Sequence, residues 1–137
     1  MAFSGCASLT SVAIPVGVTN IGESAFSSCS SLPSITIPNS VTTIGDDAFR
    51  DCSSLIVVTI PVGVTSIGFS AFSWCESLVF VTIPDSVTNI GKWAFNTCTS
   101  LTSIAMSENN PRYASIDGVL FLMLAQILSC PFSGSSA

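Results

Sequence analysis

The chain has 137 residues, 48% hydrophobic and only 8% charged, which suits one domain with a well-filled core and a neutral surface of Ser, Thr, Asn and Gly. Eight carboxylates against Arg50, Lys92 and Arg112 give a net charge of -5 and leave no basic stripe to neutralise phosphates, which argues against a nucleic-acid partner. With no histidine, Ser-His-Asp and Cys-His arrangements and most zinc sites are excluded.

Displacing the sequence by 23 residues aligns Leu9, Leu32, Leu55, Leu78 and Leu101 in one column and Phe3, Phe26, Phe49, Phe72 and Phe95 in another. Residues 1–8 close a partial repeat, four full repeats run 9–31, 32–54, 55–77 and 78–100, and a divergent terminal repeat spans 101–131. Nothing in the first ten residues, MAFSGCASLT, has the charged and apolar regions of a signal peptide. In the second repeat Ile35-Thr36-Ile37 alternates at period two and Val41-Thr42-Thr43-Ile44 is β-branched, so each repeat offers a strand and a second short extended piece. Pro38, lacking a donor N–H, ends the first strand. Gly45 is expected to supply the backbone freedom of a corner. A single helical or 3₁₀ turn is expected over 47–50. The longest apolar run, 118–128, is too short for a membrane-spanning helix, and residues 132–137 read as a flexible tail.

A 23-residue unit cannot bury eight apolar side chains alone, so the repeats must stack, each strand pairing in parallel with its copy. This predicts a mostly β solenoid of stacked short parallel strands, with its phenylalanines in one ladder. The phrase CSSLPSITIPNSVTTIGDDAF at 29–49, repeated in phase, resembles the BspA-type leucine-rich repeat. The segment NPRYASIDGVLF at 110–121 is similar to the divergent terminal repeat of such proteins. The resemblance implies a right-handed leucine-rich-repeat solenoid of the kind found on surface or secreted proteins, with roles in adhesion and protein binding. A family protein usually begins with a signal peptide or cap, whereas this chain starts inside a repeat; the expectation is a fragment or an end covered by another subunit.

One cysteine per repeat, at Cys6, Cys29, Cys52, Cys75 and Cys98, is expected as a column of buried free thiols. In such a row the Cβ vectors run parallel, unsuited to a disulfide or to tetrahedral metal ligation. Asp46, Asp47 and Asp51 form the one acidic cluster, without the alternate spacing of a calcium loop, and no metal or cofactor is expected. The informative positions are those where the repeat is broken. Phe69 stands for Glu23 or Asp46, Trp74 for Ser28 or Asp51, Phe80 for Ser11 or Ser34, and Trp93 for Ser24 or Asp47. These aromatics are expected near one another and outside the core, with Val57 facing out beside Phe80, as a protein-binding surface. The sequence therefore indicates a non-enzymatic protein-interaction module, for recognition or for assembly, acting through the solenoid surface and end strands. The alternative is a cell-surface adhesin for a host or matrix protein or a glycan.

Overall fold

The computed structural model describes residues 1–107, 109–111, 115–116 and 119–120. The end of the terminal repeat, most of the apolar run 118–128 and the expected tail at 132–137 lie outside the described residues. Ten short strands are present among these: β1 (Asn20–Ile21), β2 (Ser34–Ile35), β3 (Thr43–Ile44), β4 (Val57–Thr59), β5 (Ser66–Ile67), β6 (Phe80–Ile83), β7 (Asn89–Ile90), β8 (Ser103–Met106), β9 (Ser115–Ile116) and β10 (Val119–Leu120).

They form two parallel four-stranded sheets, ordered β1-β3-β5-β7 and β2-β4-β6-β8, and one antiparallel pair, β9 with β10. Every parallel register joins a residue to the one 23 positions later, as in Ile21↔Ile44, Ile44↔Ile67 and Ile67↔Ile90. The sequence repeat is thus the solenoid turn. Within each turn the chain crosses one sheet, reverses at proline, crosses the other and closes through an arc of turns. At the reversal each proline carbonyl accepts from the valine three residues on, at 3.2 Å for Val18 and Pro15 and 3.1 Å for Val41 and Pro38.

The core is the set of repeating columns. Leu32, Val41, Ile44, Ala48, Phe49 and Cys52 are fully buried, and their counterparts in the next two repeats are equally or nearly so. The phenylalanine rings stack as parallel plates, with centroids 5.4, 5.4, 5.1 and 5.5 Å apart from Phe3 to Phe95. Such offset contacts add about 0.5–1.5 kcal/mol per pair beyond area burial.

The arcs depart from the expectation of a helical turn: no helix occurs among the described residues. Ala48, Arg50 and Cys52 donate their N–H groups within the arc, to Gly45, Asp47 and Phe49 at 3.3, 3.1 and 3.2 Å. The intervening Asp47, Phe49 and Asp51 donate forward, to Phe69, Ala71 and Ser73 of the next repeat at 2.8, 2.7 and 2.8 Å. Asp47 and Asp51 are left-handed, with φ of 54° and 59°, and the same two columns are left-handed at Ser24, Ser28, Ser70, Trp74, Trp93 and Thr97. A helix turns every N–H back along its own axis. Here half of them are needed between repeats, and a left-handed residue at every fourth position supplies the alternation.

Gly45 also serves a different purpose from the one its position suggests. Its φ is not positive; among the described glycines only Gly5 and Gly17 are left-handed. A Cβ on Gly45 would lie 2.9 Å from the backbone of Ile21, Gly22 and Glu23, and one on Gly68 would lie 2.5 Å from Asp46 N and Gly45 C. Glycine is required because the backbones of successive repeats touch there.

Candidate functional site

The apolar columns being committed to the core, the candidate surface consists of side chains that depart from the repeat. Phe69, Trp74, Phe80, Trp93 and Val57 all lie at the surface, between 38% and 45% exposed. They fall in two places rather than one. Val57 and Phe80 face each other in register in the β2-β4-β6-β8 sheet, beside the exposed Thr59 and Thr82. Phe69, Trp74 and Trp93 belong to the arcs. Phe69 and Trp93 touch at a 51° tilt with centroids 5.5 Å apart, and the Lys92 ammonium sits 5.4 Å from the Trp93 ring centre. The 23-residue spacing places side chains by column, and the one column shared by Val57 and Phe80 runs on the sheet while those of the other three run on the arc.

Trp74 lies beside an open cavity of about 380 Å³ lined by Arg50, Asp51, Trp74 and Glu76. Asp51 accepts a long hydrogen bond from the Ser28 hydroxyl at 3.5 Å. The Arg50 guanidinium approaches Asp47 at 3.6 Å, too far for a hydrogen bond. Sequence reasoning singles out Trp74, and separately Asp51 with Arg50 beside it, but not Glu76 and not the grouping of all four, since Trp74 and Glu76 come from the repeat after the one that holds Arg50 and Asp51.

The acidic cluster is dispersed. Asp46 accepts the Phe69 N–H at 2.8 Å, Asp47 faces Arg50, and Asp51 lines the cavity. Among the described residues no group of three or more potential ligands gathers as for a metal ion. A second cavity, about 430 Å³ and apolar, lies at the first repeat between Phe3, Val12, Ile14, Val18, Ile21 and Phe26, where the core is open to solvent.

The five cysteines among the described residues are free, Cys29, Cys52, Cys75 and Cys98 buried and Cys6 exposed. Each buried thiol donates to the carbonyl of the phenylalanine 26 residues earlier, at 3.1 to 3.2 Å. That carbonyl already accepts one N–H within its arc, so the thiol satisfies its second lone pair. Burial, and then the neighbouring Cys29, pushes the Cys52 thiol up to about 12. Burial likewise raises Cys29, and Cys75 well above the usual thiol range. These are inert side chains.

The family model of the BspA type leucine rich repeat region matches residues 1–121 in six copies. The chain belongs to this family of leucine-rich-repeat solenoids, a fold that is a non-catalytic repeat scaffold and generally a protein-interaction module. Its structure is similar to that of the leucine-rich repeat protein TpLRR of T. pallidum, at 42% identity and a TM-score of 0.74, covering 75% of this chain and 48% of that one. A leucine-rich repeat protein of Bacteroides ovatus is 42% identical with a TM-score of 0.68, over 75% of this chain and 27% of that one. A leucine rich cell surface protein of Faecalibacterium prausnitzii is 32% identical with a TM-score of 0.54, over 92% and 35%. This chain spans between about a quarter and a half of the length of these three. None of the curated proteins matches. Among the described residues no helix is long and apolar enough to cross a membrane.

Proposed function

We propose that this protein is a non-enzymatic recognition or assembly module that binds another protein through the aromatic residues departing from its repeat. The observation carrying this reading is the placement of Trp74 and Trp93 at left-handed positions, φ 65° and 61°, where the two residues stay 43% and 38% exposed. The scaffold forces that conformation on whatever residue occupies the column, and asparagine, aspartate or serine tolerates it better than a bulky ring. In the full repeats the other copies of these columns hold Ser, Asp or Thr, so the fold does not call for tryptophan there and its use is read as lying outside the fold. Val57 and Phe80 extend the contact surface onto the sheet. A surface location agrees with the cell-surface description of the Faecalibacterium prausnitzii protein.

The test is a binding screen against a defined panel of proteins and glycans, run with the native chain and with a fivefold variant. The variant carries Val57→Ser, Phe69→Gln, Trp74→Ser, Phe80→Ser and Trp93→Ser, each a polar residue in keeping with its column. A protein ligand held by the native chain and lost by the variant supports the proposal. The exposed tryptophans would also suit sugar-ring stacking, so binding confined to glycans selects the adhesin reading instead. A protein ligand held equally by both chains refutes the assignment of the surface.

A further inference from the structure

The cavity beside Trp74 gathers departures from the repeat that are chemically mixed. In the other repeats its columns hold Ser27, Ser73 and Asn96 at Arg50; Ser28 and Thr97 at Asp51 and Trp74; and Ser30, Ser53 and Thr99 at Glu76. No scaffold demand explains an arginine, an aspartate, a tryptophan and a glutamate around one opening. The indole is held in a left-handed conformation that the column imposes, and the ring remains exposed. Of the charges, Arg50 is drawn toward Asp47 at 3.6 Å. Among the described residues Asp51 accepts one side-chain hydrogen bond, from the Ser28 hydroxyl at 3.5 Å, and Glu76 has no ion-pair partner. Two under-compensated carboxylates beside an aromatic face, in a chain of net charge -5, make a site selective for a cation.

We propose that this cavity receives a basic side chain, arginine or lysine, from the partner protein, the charged head lying against the Trp74 ring and paired by Asp51 and Glu76. The inference rests on the reading of the chain as a protein-binding module and specifies the chemistry of one contact in it. Asp51 and Glu76 supply the attraction, Trp74 supplies a cation–π face, and Arg50 on the rim opposes the ligand's charge. The Trp93 ring is already occupied by Lys92 at 5.4 Å and serves as an internal reference.

The experiment follows the two indole N–H signals of the ¹⁵N-labelled chain by NMR, assigned through Trp74→Phe, during titration with Ac-Gly-Arg-Gly-NH₂ and Ac-Gly-Lys-Gly-NH₂. The expected result is a saturable shift of the Trp74 signal, weakened by salt, with the Trp93 signal fixed. Asp51→Asn with Glu76→Gln, which neutralises both pairing carboxylates, raises the dissociation constant about tenfold or more. Arg50→Ser lowers it. The citrulline tripeptide, matched in shape and uncharged, leaves Trp74 unmoved. No shift up to ~10 mM, near the weakest binding that such a contact gives, overturns the proposal. So does a response equal for arginine and citrulline, or one produced only by oligosaccharides. A failure here with the fivefold variant still losing its protein partner removes the cation site alone; failure of both removes the interaction reading with it.

Discussion

Replacing Gly68 by alanine places a methyl group 2.5 Å from the backbone nitrogen of Asp46 and the carbonyl carbon of Gly45. Ordinary contact begins at 3.4 Å, so the two repeats must separate locally by roughly 0.9 Å. Neither obstacle is a side chain that can rotate away. The same separation stretches the bond from Gly68 N to Ile44 O, now 2.8 Å, beyond hydrogen-bonding length. Overpacking costs ~1–3 kcal/mol and a weakened backbone hydrogen bond ~1 kcal/mol, so the variant should lose about 3 kcal/mol. The control lies in the same column: a Cβ on Gly22 meets nothing within 4 Å, so Gly22→Ala should change stability by less than ~1 kcal/mol. Urea unfolding followed by far-ultraviolet circular dichroism measures both. Equal effects at Gly68 and Gly22, or a Gly68→Ala chain within ~0.5 kcal/mol of native, would refute the close-approach account.

Phe49→Ala removes a fully buried ring stacked on both sides and should cost about 3–5 kcal/mol by the same assay, whereas Phe3, 39% exposed and stacked on Phe26 alone among the described residues, should cost clearly less. Trp74→Asn keeps the left-handed turn with a residue that tolerates it, and should raise stability by ~1 kcal/mol; a loss of stability would show the ring to be part of the packing. Stability should fall with rising pH above ordinary thiol ionisation. The Cys52 thiol ionises near 9 when unfolded and near 12 when folded, so the native state binds more protons in that window, and stability present below 9 is lost toward 12. Replacing Cys52 with serine, which does not ionise there, should flatten that alkaline slope. A thiol reagent should modify Cys6 promptly in the native protein and Cys29, Cys52, Cys75 and Cys98 only on unfolding.

The parallel stacking was legible in the sequence because its signal is redundant: every copy of Leu32, Ile35, Ile44 and Phe49 states the same column. The conformation of the arc was not. Residues 47–50 suit a helical turn locally, and only the neighbouring repeat's carbonyls, which take the N–H groups of Asp47, Phe49 and Asp51, make the left-handed residues necessary. The sequence suggests a corner's backbone freedom at Gly45, and the clash that excludes a side chain there, with Ile21 and Gly22, exists only after stacking. The cysteine column was read as buried, but its thiol donation to phenylalanine carbonyls depends on which lone pairs the arcs leave unused. Asn110 illustrates the same limit at the terminal repeat. It occupies the column of Val41, Val64 and Val87, and its side-chain amide donates to Pro84 O and Val87 O at 3.0 and 2.9 Å. Of the surface, the aromatic departures are visible from the 23-residue alignment, while their division between sheet and arc requires the registers.

The account's central claim is that the repeating columns carry the fold and the departures carry recognition. Its most direct test is the unfolding free energy of the fivefold surface variant, in which Val57, Phe69, Trp74, Phe80 and Trp93 are replaced together by polar residues. Rings held for a partner rather than for the core predict a variant as stable as the native chain or slightly more so, from relief at the two left-handed tryptophans. A loss of more than ~2 kcal/mol would place those rings among the packing and contradict the claim.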